Sequence, residues 1–396
     1  MSELIDNRAQ RIRTLKEIIQ ELHRGADPDE VRGTLRSLVR ETTSSEIAAM
    51  EQELIAGGMP VEEVQSMCDL HSQVLREVLI EPVQMAPPPG HPLDTFQREN
   101  QALAEVVAEL RALAADLETP PDPVAWRATL GRLMDVEKHY QRKENLLFSC
   151  LERHGITGPS KVMWGKDDEV RELLDALAES LSVDSMSADE ASLLVDTVVD
   201  PTLAAIEEMI TKEERILFPM SRETLTDDEW GEIWQESPRY GFCLVEPRDG
   251  FRPPASKEPA KTADLPHGAA VVFPTGALDF EQLRGIFGVL PVDLTFVDAD
   301  DRVRFFSEGP DRVFERSKAI LGRKVQHCHP PKSVHIVEEI VSSFRGGERD
   351  VAEFWIQLHG KFIHIRYFAV RDDDGAYQGT LEVTQDLTRL RELEGD

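Results

Sequence analysis

The feature that most restricts this chain is an internal repeat. The segment Glu137-Lys138-His139-Tyr140-Gln141-Arg142-Lys143-Glu144-Asn145-Leu146-Leu147-Phe148 is followed, seventy residues on, by Glu207-Glu208-Met209-Ile210-Thr211-Lys212-Glu213-Glu214-Arg215-Ile216-Leu217-Phe218, then Pro219. Glu137, Glu144, Leu147 and Phe148 recur as Glu207, Glu214, Leu217 and Phe218. A duplicated helix pair explains the match. Two pairs make four helices, the number that closes a bundle around one core. Long helical patterns run from the proline-rich stretch at 85–90 to about residue 236. Their breaks fall at Thr119-Pro120-Pro121 and at 155–159, where Pro and Gly interrupt helices, and at the serine-rich 182–187.

The remainder is too long to join that bundle. A chain of 396 residues exceeds one ordinary core and implies a multidomain protein. Residues 8–80 read as a small all-α unit. Ile12, Leu15, Ile19 and Leu22 share a helical face, and Asp27-Pro28 opens a second helix. Gly57-Gly58 ends another, and Pro60 starts the one that carries Val61, Val64, Met67 and Cys68. A Pro-rich linker follows at 81–90, and the bundle occupies 91–236. A second linker at 246–267, with Pro247, Pro253, Pro254, Pro259 and Pro266, is expected to be mobile. Beyond it the period changes to two. Val292, Leu294 and Phe296 alternate, Asp300-Asp301 turns, and Val303 and Phe305 alternate again. A helix at 332–344 precedes two more hairpins, turning at His359-Gly360-Lys361 and Asp373-Asp374-Gly375. Residues 280–390 therefore form an α+β domain, an antiparallel sheet with helices on one face.

Composition narrows the partners. Asp and Glu outnumber Lys and Arg by 74 to 44, a net charge of −30, which disfavours nucleic acid and anionic membranes as partners. No apolar stretch is long enough to span a bilayer, and the N-terminus lacks a signal-peptide layout. Cys68, Cys150, Cys243 and Cys328 lie too far apart for a disulfide framework, so a reducing cytoplasm is the expected location. No Walker loop, dinucleotide fingerprint, nucleophile elbow or zinc-protease motif occurs.

The pattern His-x-x-x-Glu-Glu-x-x-Leu-Phe-Pro, spread over the two copies, resembles the repeated signature of hemerythrin-like (HHE cation-binding) domains. The resemblance implies a four-helix bundle with a di-iron centre held by histidines and carboxylates. Residues four apart on a helix point the same way, so one helix can offer two ligands to one metal, and imidazole with carboxylate suits iron, manganese or zinc. This chain departs from the pattern. In the first copy Lys143 occupies the signature's usual Glu position, and in the second Met209 occupies its usual His position. His91, His139 and Glu213 remain by position. Glu144, Glu214, Asp168 and His154 are candidate substitutes. Three readings follow: a reduced metal site on His91, His139, Glu213 and a neighbour; a bundle without metal in which Lys143 is the counter-charge to the glutamates; or a charged helical surface. Lys143 and Met209 argue against a reversible oxygen carrier.

The C-terminal region resembles a PAS domain, through Leu290-Pro291-Val292-Asp293-Leu294-Thr295-Phe296-Val297-Asp298, the helix after Pro331, and Gly379-Thr380-Leu381-Glu382-Val383-Thr384-Gln385-Asp386-Leu387-Thr388. Within it lies His327-Cys328-His329-Pro330-Pro331-Lys332-Ser333-Val334-His335. Imidazole and thiolate are strong ligands for transition metals. The PAS resemblance makes heme a candidate cofactor, with Cys328, His329 and His335 as candidate ligands and His335 the nearest. The plain alternative is a Pro-Pro turn before a helix. In the N-terminal unit Cys68 and His71 share a helical face, where core packing outweighs ligation. The order of helical unit, bundle and PAS domain is similar to a prokaryotic family whose N-terminal domain has no assigned function. Met163-Trp164-Gly165, Cys328-His329-Pro330-Pro331-Lys332-Ser333 and Phe354-Trp355-Ile356-Gln357 are typical of it. The resemblance implies a sensor of oxygen, nitric oxide, redox state or metal that acts through a protein partner, with no output unit expected after the PAS domain. The alternatives are a metal-handling or redox enzyme, serving iron delivery or iron-centre repair, and a cofactor-free scaffold that dimerises through PAS.

Overall fold

The computed structural model describes residues 52–60, 86–115, 123–182, 186–253, 270–309 and 312–393. The expectations for the N-terminal unit, including Cys68 and His71, lie outside these residues. The exception is the helix end at Gly57-Gly58, where Gly58 takes φ +91°. The chain divides into two compact units, Met1–Pro254 and Ala255–Asp396.

In the first unit the helices are α1 (Pro92–Ala115), α2 (Pro123–Leu133), α3, α4 (Gly158–Ser180), α5 and α6 (Asp227–Glu236). Helix α3 runs from Val136–Arg142 through a π turn at Lys143–Leu147 into Phe148–Arg153. Helix α5 is longer. It begins at Ala188–Leu194, widens at Val195–Val199, continues as Asp200–Lys212, widens again at Glu213–Leu217 and ends as Phe218–Thr224. The two copies of the repeat therefore each carry a π turn at the same place. Such turns insert one residue into a helix and recur at functional positions.

Each helix is built on an apolar stripe. On α1 it is Phe96, Leu103, Val106, Val107, Leu110 and Ala114, all buried at three- and four-residue spacing. Trp126, Tyr140, Phe148, Leu174, Leu177, Leu203 and Phe218 of the other helices are buried as well. Each such side chain contributes roughly 1.5–3 kcal/mol relative to exposure. Chemistry at the ends sets the boundaries. Gly155, at φ +78°, lets the chain leave α3. Ser187 with Glu190 and Thr226 with Glu229 make reciprocal capping boxes that open α5 and α6.

The linker expected at 246–267 is shorter than its prolines suggest, because 246–253 packs on the bundle. Phe251 makes an edge contact with His91 at 4.7 Å between ring centroids, and Arg98 donates to the Glu246 carbonyl at 2.8 Å. A Cβ at Gly90 would run into the Arg248 carbonyl oxygen, and Gly90 itself sits at φ +79°. An aromatic anchor and a close backbone approach thus override the local preference for mobility.

The second unit contains a hairpin of β1 (Ala270–Phe273) and β2 (Gly276–Asp279), then α7 (Phe280–Val289). A five-stranded antiparallel sheet follows, in the order β4-β3-β7-β6-β5. Its strands are β3 (Asp293–Asp298), β4 (Val303–Phe306), β5 (Val351–Leu358), β6 (Lys361–Arg371) and β7 (Tyr377–Asp386). Helix α8 (Pro331–Gly346) covers one face. Ile340 and Phe344 of α8 pack on Ala352, Phe354, Tyr367 and Ala369. The three turns read from sequence are where the backbone turns left-handed, at Asp301, His359-Gly360 and Gly375. The sequence analysis did not point to the β1–β2 hairpin, which among the described residues pairs only with itself.

Candidate functional site

The centre of the bundle is a buried charge cluster. His139 on α3 bonds two carboxylates at once, with Nδ1 2.9 Å from Glu99 Oε2 and Nε2 3.0 Å from Glu213 Oε2. Lys143, one helical turn further along, donates from Nζ to Asp167 Oδ1 at 2.7 Å and to Glu213 Oε1 at 2.5 Å. Arg142 bonds Glu99 Oε2, and the backbone N–H of Cys243 donates to Glu99 Oε1 at 2.7 Å. All of these side chains are buried. Beside them Arg171 spans Glu137, Glu144 and Asp168. Glu214 accepts from Asn100 at 3.2 Å and Gln97 at 3.4 Å.

The cluster sorts its protons by environment. Burial opposes ionisation of Glu213, yet Lys143 and His139 hold its carboxyl at about 2. Burial would lower the imidazole of His139, but Glu213 and Glu99 raise it above the usual value. Burial pushes Asp167 up to about 6 against the pull of Lys143 and Arg171. Burial likewise raises Glu214 to about 7 and Glu144 well above the carboxylate range.

The sequence candidates divide on this geometry. His139 and Glu213 are central. Glu144 and Asp168 serve Arg171 on one side, and Glu214 faces α1. His91 lies elsewhere, in tilted contact with Trp230 and edge contact with Phe251, with Nδ1 accepting from the Leu93 N–H at 3.1 Å. Burial lowers its pKa to about 4, so it is neutral. His154 pairs with Glu229 at 2.9 Å. Sequence reasoning missed Glu99, Arg142 and Asp167.

This donor set does not fit a metal centre. Of the carboxylate oxygens of Glu99, Asp167 and Glu213, Asp167 Oδ2 alone lacks a partner among the described residues. Both nitrogens of His139 are engaged. A dication placed here would meet the Lys143 ammonium and Arg142 guanidinium before it met free ligands. Among the described residues no three His, Cys, Asp or Glu converge as a metal site.

In the second unit Cys328, His329 and His335 diverge. Cys328 packs half-buried on Val297, Phe306, Ile320 and Val337, with Sγ 3.5 Å from the Lys324 carbonyl. His329 donates from Nδ1 to the Val325 carbonyl at 2.8 Å, and burial keeps the ring neutral. His335 is exposed on α8.

A helical bundle whose two repeats meet at carboxylate and histidine side chains, with a sheet-and-helix sensor-type domain after it, defines a hemerythrin-type bundle joined to a PAS domain. Family models agree along the chain: the family of unknown function DUF438 at 15–81, the hemerythrin HHE cation binding domain at 91–221 and the PAS domain at 283–388. The chain belongs to the family that combines these three domains in this order. A C-terminal domain from Streptococcus mutans is 37% identical, over 32% of this chain and 98% of that one, with a TM-score of 0.31. A PAS domain from Colwellia psychrerythraea is 16% identical over 28% and 97%, TM-score 0.23. A sensory box sensor histidine kinase from Vibrio cholerae is 14% identical over 27% and 89%, TM-score 0.22. No curated protein matches the chain. Among the described residues no helix is long and apolar enough to cross a membrane.

Proposed function

We propose that the protein is a sensor and signalling protein whose PAS domain receives the signal, while the bundle is a charge-locked module that works without a metal and engages a protein partner. The observation that carries this reading is the Lys143 ammonium between Asp167 and Glu213, 2.7 and 2.5 Å from their oxygens. It supplies within the chain the positive charge that a metal supplies in a cation-binding bundle. The first of the sequence readings, a reduced metal site with His91, loses its geometry, because His91 packs against Trp230 and Phe251. The second, Lys143 as counter-charge, is the one the contacts support. The enzyme alternative requires redox or metal-transfer chemistry, for which the carboxylates of Glu99, Asp167 and Glu213 leave, among the described residues, a single open oxygen, Asp167 Oδ2. Among the described residues Cys150, Cys243 and Cys328 form no disulfide, in accord with a reducing compartment.

Anaerobic iron loading of the full chain tests the bundle. Elemental analysis and absorption spectra after desalting should show no stoichiometric metal and no band that changes with dioxygen or dithionite. Retention of one or more metal ions per chain, lost in His139→Ala, would restore the metal-centre reading.

A further inference from the structure

The five-stranded sheet has two edges, β4 and β5, and they are finished differently. Strand β4 is four residues long, and its register against β3 shifts between Phe296 and Val297. Its far side is occupied. The Val303 N–H donates to the Arg323 carbonyl at 3.0 Å, the Gly322 N–H donates to the Val303 carbonyl at 2.7 Å, and Arg302 bridges to Lys324. Strand β5 is eight residues long and pairs with β6 without a break, from Val351 opposite Phe368 to Leu358 opposite Lys361. Sheet edges are ordinarily blunted by shortness, bulges, proline, lysine or a covering segment. Strand β4 is short, bulged and covered. Strand β5 has no Pro, Lys or Arg, and its one charge, Glu353, is engaged by His364 of β6.

The hairpin fixes which groups of β5 face outward. His359 and Gly360, at φ +49° and +76°, make a two-residue turn. Such a turn closes on a hydrogen-bonded pair, here Leu358 and Lys361. Alternation then leaves the N–H and C=O of Val351, Glu353, Trp355 and Gln357 pointing away from β6. Phe362, opposite Gln357, agrees with this phase. Its carbonyl accepts from the Leu387 N–H and its N–H donates to Thr388 Oγ1, both at 2.8 Å and both just past the end of β7. Among the described residues the outward groups of β5 have no hydrogen-bond partner. The same residues carry their side chains on the face away from α8, because Ala352 and Phe354 pack toward α8. Val351 is 50% exposed and Trp355 64%.

We infer that β5 is a dimerisation edge, on which the β5 of a second copy pairs antiparallel and joins two sheets into one. The strand is self-complementary in one register. With Val351 opposite the partner's Gln357, and Glu353 opposite the partner's Trp355, every outward N–H and C=O finds a partner. Phe354 then meets its own copy on the α8 side, and Trp355 lies diagonal to the partner's Trp355, within reach of an aromatic ring. No like charges oppose each other. A slide of two residues one way sets Glu353 against its own copy, and a slide the other way leaves Val351 facing the turn. The chain carries a net charge of −30, yet β5 holds a single acid, so repulsion between copies is locally small here. A strand from an unrelated protein would need none of this symmetry. The inference rests on the backbone ladder and is independent of what the PAS domain senses.

Sedimentation of the full chain over a range of concentrations tests it, and a reversible dimer is expected. Gln357→Pro deletes an outward N–H from each strand and spares the β5–β6 ladder, since proline is tolerated where the N–H of an edge strand faces solvent. Trp355→Glu sets an acid opposite Glu353 at two symmetric places. Each should weaken the dimer about tenfold or more, with circular dichroism unchanged. Adding Glu353→Lys to Trp355→Glu should tighten the dimer again severalfold, because the inferred register sets position 353 against position 355. If Gln357→Pro fails to fold, this charge exchange carries the test. A dimer that either folded single variant leaves as tight as wild type overturns the inference, as does a double variant no tighter than Trp355→Glu alone. A chain that stays monomeric at every concentration also overturns it, and leaves the edge to the strand of another protein.

Discussion

Lys143 is the residue on which the bundle turns. It is fully buried, and two carboxylates depend on it. Removing one partner of a buried ion pair costs about 3–5 kcal/mol because the remaining charge is stranded. Lys143→Ala should therefore lower the urea unfolding free energy of the bundle by about that amount. Adding Asp167→Asn to it should cost less than the sum of the two single changes, since one of the two stranded carboxylates is then gone. A double-mutant cycle reads this directly. The site was partly legible at this scale. His139 and Glu213 stood out because the repeat placed them, but Asp168 was chosen where Asp167 is the buried one. The missing signal was helical phase. Extending the Val170-Leu174-Leu177 stripe backwards reaches Met163 and Asp167, and extending Phe96-Leu103-Leu110 passes through Glu99. A charged residue on an apolar stripe marks a buried site even when no motif names it.

Among the elements, the segment 243–253 does more than connect. Its start holds Glu99 through the Cys243 N–H, and its end lies over Gly90 and His91. Gly90→Ala should disturb this seat both sterically and by its left-handed φ. Faster hydrogen exchange at 243–253 and faster labelling of the buried Cys243 thiol are the expected outcomes, with α4 exchange unchanged. Unaltered protection would show that the segment is held from elsewhere. The sheet was more legible than this segment. Alternation and turn residues located β3 through β7, whereas the prolines of 246–267 spoke only for local stiffness. What anchors 246–253 is long-range contact between Phe251 and His91, which no local pattern encodes.

For the whole molecule, the opposed pKa shifts set a stability profile. Glu213 is held at about 2 in the folded protein against a usual 4.5. A depressed carboxyl stabilises above its unfolded pKa, and that contribution disappears as pH falls from 4.5 toward 2, about 3 kcal/mol in all. Glu214 and Asp167 are raised, to about 7 and about 6, so they favour the fold at low pH and lose that advantage as pH rises through the folded values. His139, also raised, has the same sign on the alkaline side. Urea midpoints of the bundle should therefore rise from pH 7 toward about 4.5 and fall below it. Glu214→Gln should make the first limb shallower, leaving the share of Asp167, without moving the second. A monotonic profile in wild type would contradict the assigned shifts. The paired π turns carry a last consequence, about rotation. A π turn is an extra residue that turns everything after it by roughly 100°. Because Lys143–Leu147 and Glu213–Leu217 share that offset, both halves of the repeat present their later side chains with the same rotation. Restoring a regular helix in one half alone would turn its later side chains away from the neighbours they now meet.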